Sequence, residues 1–381
     1  MEQVVISGIG VVSPLGNCVD ELTRRAAAGE RAAVGVDGCS ISVGEIPLDV
    51  IPADKRARIG RLDRLCRFFL SAAYLAVDAA QLTIAAEEAE RVGLSFGTGL
   101  GCLLTDEEYN RKVVEHGAAA ASPRLFAYTV SSAAAGEVSI ALGIKGPNVT
   151  AHMGFAAGLG AVGYGFDLIQ MGKADVSGPA LVNGLREMGL LRVRDAVSGA
   201  GIRPSEGAVV MVLERRDRAR RRGARCWGRI DGYAAGFEPT LTRRARECTG
   251  VAATLKRALS LSGHTPDQID LVLSSAHGTP VDDTERAALA EVLGPRSTAV
   301  VLTPKAALGE SFGASGVLAL ALAAGTLDAH PKLADSVACG LDGRPVSGAE
   351  AAQRLQRATV VLVNALCYSG DIVSLVFALE S

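Results

Sequence analysis

Gly146 to Gly158, GPNVTAHMGFAAG, is the stretch that most narrows the choice of fold. A Gly-Pro turn leads into a short β-like run, 148–153, and the chain then enters a helix at 156–171. That helix carries Gly158, Gly160, Gly163 and Gly165. Each glycine costs about 1 kcal/mol of helix propensity against alanine. A helix so composed is tolerable only where it is packed tightly at the centre of a structure. A strand that stops at a helix N-terminus is also a place where enzymes present a nucleophile, because the free N–H groups and the positive dipole end stabilise an anion. Here no Ser, Cys or Thr stands at the tip; the residue is Phe155.

The remaining periodicities predict strands alternating with helices. Val4–Val12 reads as a strand interrupted by Gly8 and Gly10. A helix is expected over 61–80, with an apolar face of Leu65, Phe68, Phe69, Ala72 and Ala76. A strand over 91–96 ends in the glycine-rich loop 97–101, before a helix over 103–116. Helix is expected again over 129–142. The second half repeats the plan: a strand at 269–275 ending in Ala276-His277-Gly278-Thr279, a strand at 299–302, and a very apolar helix at 313–327. A β hairpin about Cys367-Tyr368-Ser369-Gly370 closes the chain. Two halves, each with one small-residue helix, imply α/β layers packed around a central helix pair. No Pro/Ser-rich linker divides them, so one compact pseudo-twofold unit is expected.

Composition excludes several classes of function. A formal net charge of -2 gives no case for a nucleic-acid partner, and the basic run 215–225 reads as an exposed helix end. No apolar run is long enough to span a bilayer. The start of the chain lacks a basic n-region, so no signal peptide is expected. Eight cysteines, with no CxxC pair and no metal-ligand spacing, fit free buried thiols in a reducing cytoplasm and imply no metal. The loop 97–101 lacks GK[ST] and a suitably placed acid, so its glycines serve close backbone approach rather than a nucleotide cofactor.

Eight collinear segments carry a family resemblance. They are VVISGIGVVSPLGN at the start, SFGTGLG at 95–101, TVSSAAAGEVSIALGIKGPN at 129–148 and AAGLGAVGYGFDLIQMGKADV at 156–176. EGAVVMVLE (206–214), SSAHGTPVDD (274–283), TPKAALGESFGASG (303–316) and VNALCYSGD (363–371) follow. Together they resemble the β-ketoacyl synthases of the thiolase-like superfamily. The resemblance implies an αβαβα layered fold of two pseudo-twofold halves, 1–225 and 226–381, with no cofactor.

It also implies what is missing. An active synthase of this family has a nucleophilic Cys at the elbow and two His residues that assist decarboxylation. Thiolate attack on a thioester needs the sulfur itself, and Phe155 stands there. The first His matches His277. The second falls on Glu310, after a retained Lys305 and Gly309. The gating loop keeps one glycine and reads Cys367-Tyr368-Ser369-Gly370. The segments after His277 and between about 184 and 203 are shorter than in active members. Cys102 and Cys367 lie near the expected cavity, but neither is expected to replace the nucleophile.

One subgroup is built this way, the chain length factor or ketosynthase β of type II polyketide synthases. It pairs with an active ketosynthase and walls an acyl tunnel for chains held on acyl carrier protein. Its usual replacement for Cys is Gln; Phe155 departs from that and fits the divergent members of polyene-making systems. An ungapped carry-over puts Leu103, Asp106 and Asn110, on one helix face, at chain-length positions; they also read as ordinary helix residues. The alternatives on this fold are a malonyl-carrier-protein decarboxylase or acyltransferase using His277 and Glu310, and a scaffold that holds an acyl chain without processing it.

Overall fold

The computed structural model describes residues 2–32, 46–183, 203–239, 248–276, 278–279, 281–295, 297–326, 338–341, 346 and 348–379. Its strands are β1 (Val4–Val12), β2 (Val92–Thr98), β3 (Asn148–His152), β4 (Val176–Asn183), β5 (Gly207–Arg215), β6 (Gly228–Phe237), β7 (Leu271–Leu273), β8 (Val300–Leu302), β9 (Ala338–Cys339), β10 (Val360–Leu366) and β11 (Asp371–Ala378). Helices of the first half are α1 (Val19–Ala27), α2 (Ala53–Ile59), α3 (Arg64–Ala79), α4 (Leu103–His116), α5 (Pro123–Phe126), α6 (Ala133–Leu142), α7 (Ala157–Gln170) and α8 (Arg216–Arg221). The second half adds α9 (Thr249–Ser262), α10 (Val281–Leu293), α11 (Lys305–Leu308), α12 (Ser315–Thr326) and a helix over Gly348–Arg357.

The expected duplication is written in the strand order. The sheet runs β3-β2-β4-β5-β1-β6-β11-β10-β7-β8-β9. In the first half β3, β2 and β4 are parallel, β5 runs antiparallel to β4, and β1 antiparallel to β5. In the second half β8, β7 and β10 are parallel, β11 is antiparallel to β10, and β6 antiparallel to β11. The two orders, 3-2-4-5-1 and 8-7-10-11-6, are one topology used twice. The halves meet where β1 pairs antiparallel with β6 through Val4–Ile230, Val5–Arg229 and Ile6–Gly228.

Three apolar clusters make five layers. One lies between α3 and α6 and the strands β2, β4 and β5. The second joins α1, α7, α12 and the helix 348–357 to the inner faces of both half-sheets. The third lies between α9 and α10 and the outer face of β6, β7, β10 and β11. The αβαβα arrangement follows. The glycine-rich α7 sits in the middle layer with ten of its residues buried, as its composition requires.

Strand β1 explains its own glycines. All nine of its residues are buried, and its ladder to β5 shifts register between Ile6 and Gly8. A Cβ at Gly10 would stand 2.0 Å from the Ala72 carbonyl oxygen, and one at Gly8 2.4 Å from that of Ala76. Helix α3 lies on β1 with no side-chain layer between their backbones.

Two helix starts differ from expectation. α3 begins at Arg64 because Asp63 caps it, its Oδ1 accepting from Cys66 N at 2.7 Å. α6 begins at Ala133 rather than 129, because Thr129 Oγ1 donates to the Phe126 carbonyl at 2.8 Å and belongs to the turn after α5. Among the described residues no helix is long and apolar enough to cross a membrane, and no group of three or more His, Cys, Asp or Glu could hold a metal ion.

Candidate functional site

The elbow is built as its sequence implies. β3 ends at His152, a single 3-10 turn spans Gly154–Ala156, and α7 begins at Ala157. Gly154 has φ +50, and a Cβ there would lie 2.2 Å from Cys367 Sγ. Only glycine can turn the chain so tightly against the β10–β11 hairpin. The turn therefore delivers Phe155 onto elements of the other half of the molecule.

Its ring meets two others edge-on. Phe312 lies 4.9 Å away, centroid to centroid, at 79°. Tyr368 lies 5.7 Å away at 84°. Phe312 opens the 3-10 turn that precedes α12, the counterpart of the Phe155 turn before α7. It holds φ +52, a conformation that non-glycine residues rarely adopt and that packing must enforce. The space left among Phe155, Ser275, Pro304, Lys305, Gly316 and Asn364 admits no water-sized sphere.

A polar belt runs behind this aromatic cluster. Lys305 Nζ lies 5.8 Å from the Phe155 centroid and forms an ion pair with Glu310 Oε2 at 2.7 Å. It also donates to Ser275 Oγ at 3.2 Å. Both charges are buried, so their mutual pairing is what makes them tolerable there. Ser315 Oγ donates to Glu310 Oε1 at 2.6 Å. Backbone bonds hold the residue from both sides: Glu310 N donates to Arg203 O at 2.6 Å, and Ser205 N to Glu310 O at 2.9 Å.

The belt continues to Glu285, a fully buried acid on α10 that sequence reasoning missed. Its carboxylate accepts from Ser274 Oγ at 2.6 Å, Ser275 N at 3.0 Å and Asn364 Nδ2 at 3.0 Å. Burial pushes its pKa up, and the three hydrogen bonds only partly oppose that. The available signal was an acid where the apolar face of α10 should be, between Val281, Ala288 and Leu289.

The other anticipated residues fall in three places. Tyr368 joins the aromatic cluster, while Ser369 is exposed and donates to Asp371 Oδ2 at 2.6 Å. Leu103, Asp106 and Asn110 are not drawn into the cluster: Leu103 is 36% exposed, and Asn110 Nδ2 bonds back to the Asp106 carbonyl at 2.9 Å. His277 lies outside the described residues. Cys102 stands at the N-cap of α4, yet burial and neighbouring Asp106 push its thiol up to about 11, the opposite of activation. The cysteines are not uniformly buried, since Cys18 is exposed.

Sequence comparison agrees with this architecture. The β-ketoacyl synthase N-terminal domain matches residues 51–219 and the C-terminal domain residues 227–332. The chain belongs to the β-ketoacyl synthase family. It is 28% identical over 345 residues to a 3-oxoacyl-[acyl-carrier-protein] synthase 2 of Synechocystis sp., covering 83% of each chain. It is 26% identical over 346 residues to the Vibrio cholerae protein of the same name, covering 82% of this chain and 83% of that one. Among solved structures it superimposes over its full length on the ishigamide ketosynthase/chain length factor, with TM-score 0.80 and 23% identity. A type II polyketide acyl-carrier protein in complex with its ketosynthase, AntDE:AntF, gives TM-score 0.81 at 19% identity, again over 100% of both chains.

Proposed function

We propose that the chain is a catalytically silent ketosynthase-like subunit, a chain length factor, that pairs with an active ketosynthase in polyketide biosynthesis. The observation that carries this reading is the position of Phe155. Its ring occupies the tip of the elbow, wedged between Phe312 and Tyr368, where a nucleophile and its acyl group would need room. Carbon offers no lone pair to attack a thioester. Glu310 supports the same reading, because a carboxylate held on Lys305 cannot donate a hydrogen bond to a developing enolate as an imidazole would.

In this reading the two halves divide at 225/226, and the partner supplies the reactive Cys. The growing chain arrives on acyl carrier protein. Leu103, Asp106 and Asn110 line the tunnel wall offered to the partner, and Tyr368 and Ser369 are the remnant of the gating loop. A polyene product fits the Phe155 replacement.

Co-expression with a ketosynthase that has an intact Cys/His/His set tests the proposal. The expected result is a stable heterodimer that elongates malonyl units only when both chains are present. A stable homodimer that ignores the ketosynthase, or condensation by this chain alone, would overturn it.

A further inference from the structure

Beside the Lys305–Glu310 pair the surface opens into a cleft of about 390 Å³. Among the described residues its charged lining comprises Arg31, Arg203, Arg286, Lys305, Asp282 and Glu310. Three of these six charges are paired. Lys305 and Glu310 neutralise each other at 2.7 Å. Arg286 Nη1 pairs with Asp283 Oδ1 at 2.8 Å. Asp282 Oδ2 accepts from Gly278 N at 2.7 Å and Thr279 N at 3.2 Å, bonds that orient the carboxylate without cancelling its charge.

Arg31 and Arg203 are different. Arg203 reaches inward, its Nη2 donating to the carbonyl oxygens of Ala306 and Lys305. Carbonyls orient a guanidinium but do not cancel its charge. Burial, and then the charge of Arg31, hold its pKa below the ordinary arginine range. Among the described residues no carboxylate forms an ion pair with either side chain. Two like charges thus share one mouth, with Arg203 half-desolvated, and the fold bears that cost.

We infer that this cleft is an anion site for a phosphate group, held between Arg31 and Arg203 with Arg286 at the rim. Guanidinium forks match phosphate oxygens in bidentate geometry, and a near-dianion offsets both charges where a carboxylate offsets one. The cleft is larger than a phosphate ion, so the natural ligand is a phosphate ester whose organic part fills the remainder. The inference stands on the cleft alone and does not require the chain to be a chain length factor.

The test uses the full chain in chloride buffer, titrated with inorganic phosphate or with phosphoethanolamine at constant ionic strength, and read by calorimetry and by Tm. Both probes should bind and raise Tm above the chloride control. Arg31→Gln should weaken binding about tenfold or more, the loss expected for one charge-assisted contact. Without phosphate the same variant should melt at or above the wild-type Tm, because it removes a repulsion. Arg286→Gln should weaken binding by a smaller factor and provides a second variant. The site is refuted if phosphate does no more than chloride, or if its binding survives both substitutions unchanged. Binding of inorganic phosphate with exclusion of phosphoethanolamine would refute the ester.

Discussion

At the scale of single residues, the elbow is closed by more than the loss of one sulfur. Phe155, Phe312 and Tyr368 form one cluster, and Lys305 and Glu310 lock the wall beside it. Phe155→Cys would restore a thiol without restoring a hydrogen-bond donor at 310. It would also exchange a ring for a small side chain, at a cost of about 2–3 kcal/mol from lost ring contacts and a partial cavity. The expected outcome is a folded, less stable chain that elongates no malonyl-carrier protein by itself; product formation by this single variant would show the reading to be wrong. Glu285 allows a separate prediction. Burial raises its carboxyl above the ordinary glutamate value of 4.5, so the native state holds its proton more tightly than the unfolded chain does. Its contribution to stability is therefore fully present below about pH 4.5 and is lost as the pH rises through the raised native value. Glu285→Gln keeps acceptors for Ser275 N and Asn364 Nδ2 and carries no charge. Urea midpoints should favour the variant at pH 8 and converge with the wild type below pH 4.5. A variant less stable at pH 8 would mean that the ionised carboxylate is the native form.

At the scale of elements, close backbone approach explains what alternation and helical periodicity leave open. The contact of β1 with α3 depends on Gly8 and Gly10, and a Cβ at Gly10 would stand 2.0 Å from a helix carbonyl. Gly10→Val should therefore force the two elements apart and cost about 3 kcal/mol or more, within the range of overpacked sites. The wild-type and variant midpoints in chemical denaturation check this; an unchanged midpoint would mean that α3 can move freely. The same feature explains how much could be read in advance. Strands and helices were legible because burial imposes periods of 2 and 3.6, and α4 spans Leu103–His116 as its pattern implies. The Phe155 elbow was legible because its strand, turn and glycine-rich helix are contiguous in sequence. Helix starts were less so, since Asp63 and Thr129 set them through single hydrogen bonds. The belt from Glu310 to Glu285 was legible only in part. It is assembled from α10, α11 and β10, and no local period marks residues that meet across about 80 positions of chain, as Glu285 and Asn364 do.

At the scale of the whole molecule, one face is left unfinished. β3 is the outermost strand of the first half, and it pairs only with β2 among the described residues. Its five residues are half-exposed or exposed. The segments on this side of the first half also expose large apolar side chains: Phe126 is 58% exposed, Val130 51% and Ile140 63%. α6 packs beside β3, where Asn148 Nδ2 donates to Ser139 Oγ at 2.9 Å, and α5 packs on α4. A free strand edge and exposed large apolar groups both favour another chain, because pairing satisfies the backbone and burial returns about 25 cal/mol per Å². If the chain pairs with an active ketosynthase as proposed, this is the face that the partner covers. The substitutions Val130→Glu and Ile140→Glu change side chains that are already solvated, so each should leave the fold of the free chain intact. Together they should weaken heterodimer formation a hundredfold or more, about 3 kcal/mol, by burying two charges in the interface. Sedimentation of the mixed chains reads the association, and circular dichroism of the free variant reads the fold. Full association of a correctly folded double variant would place the partner on another surface.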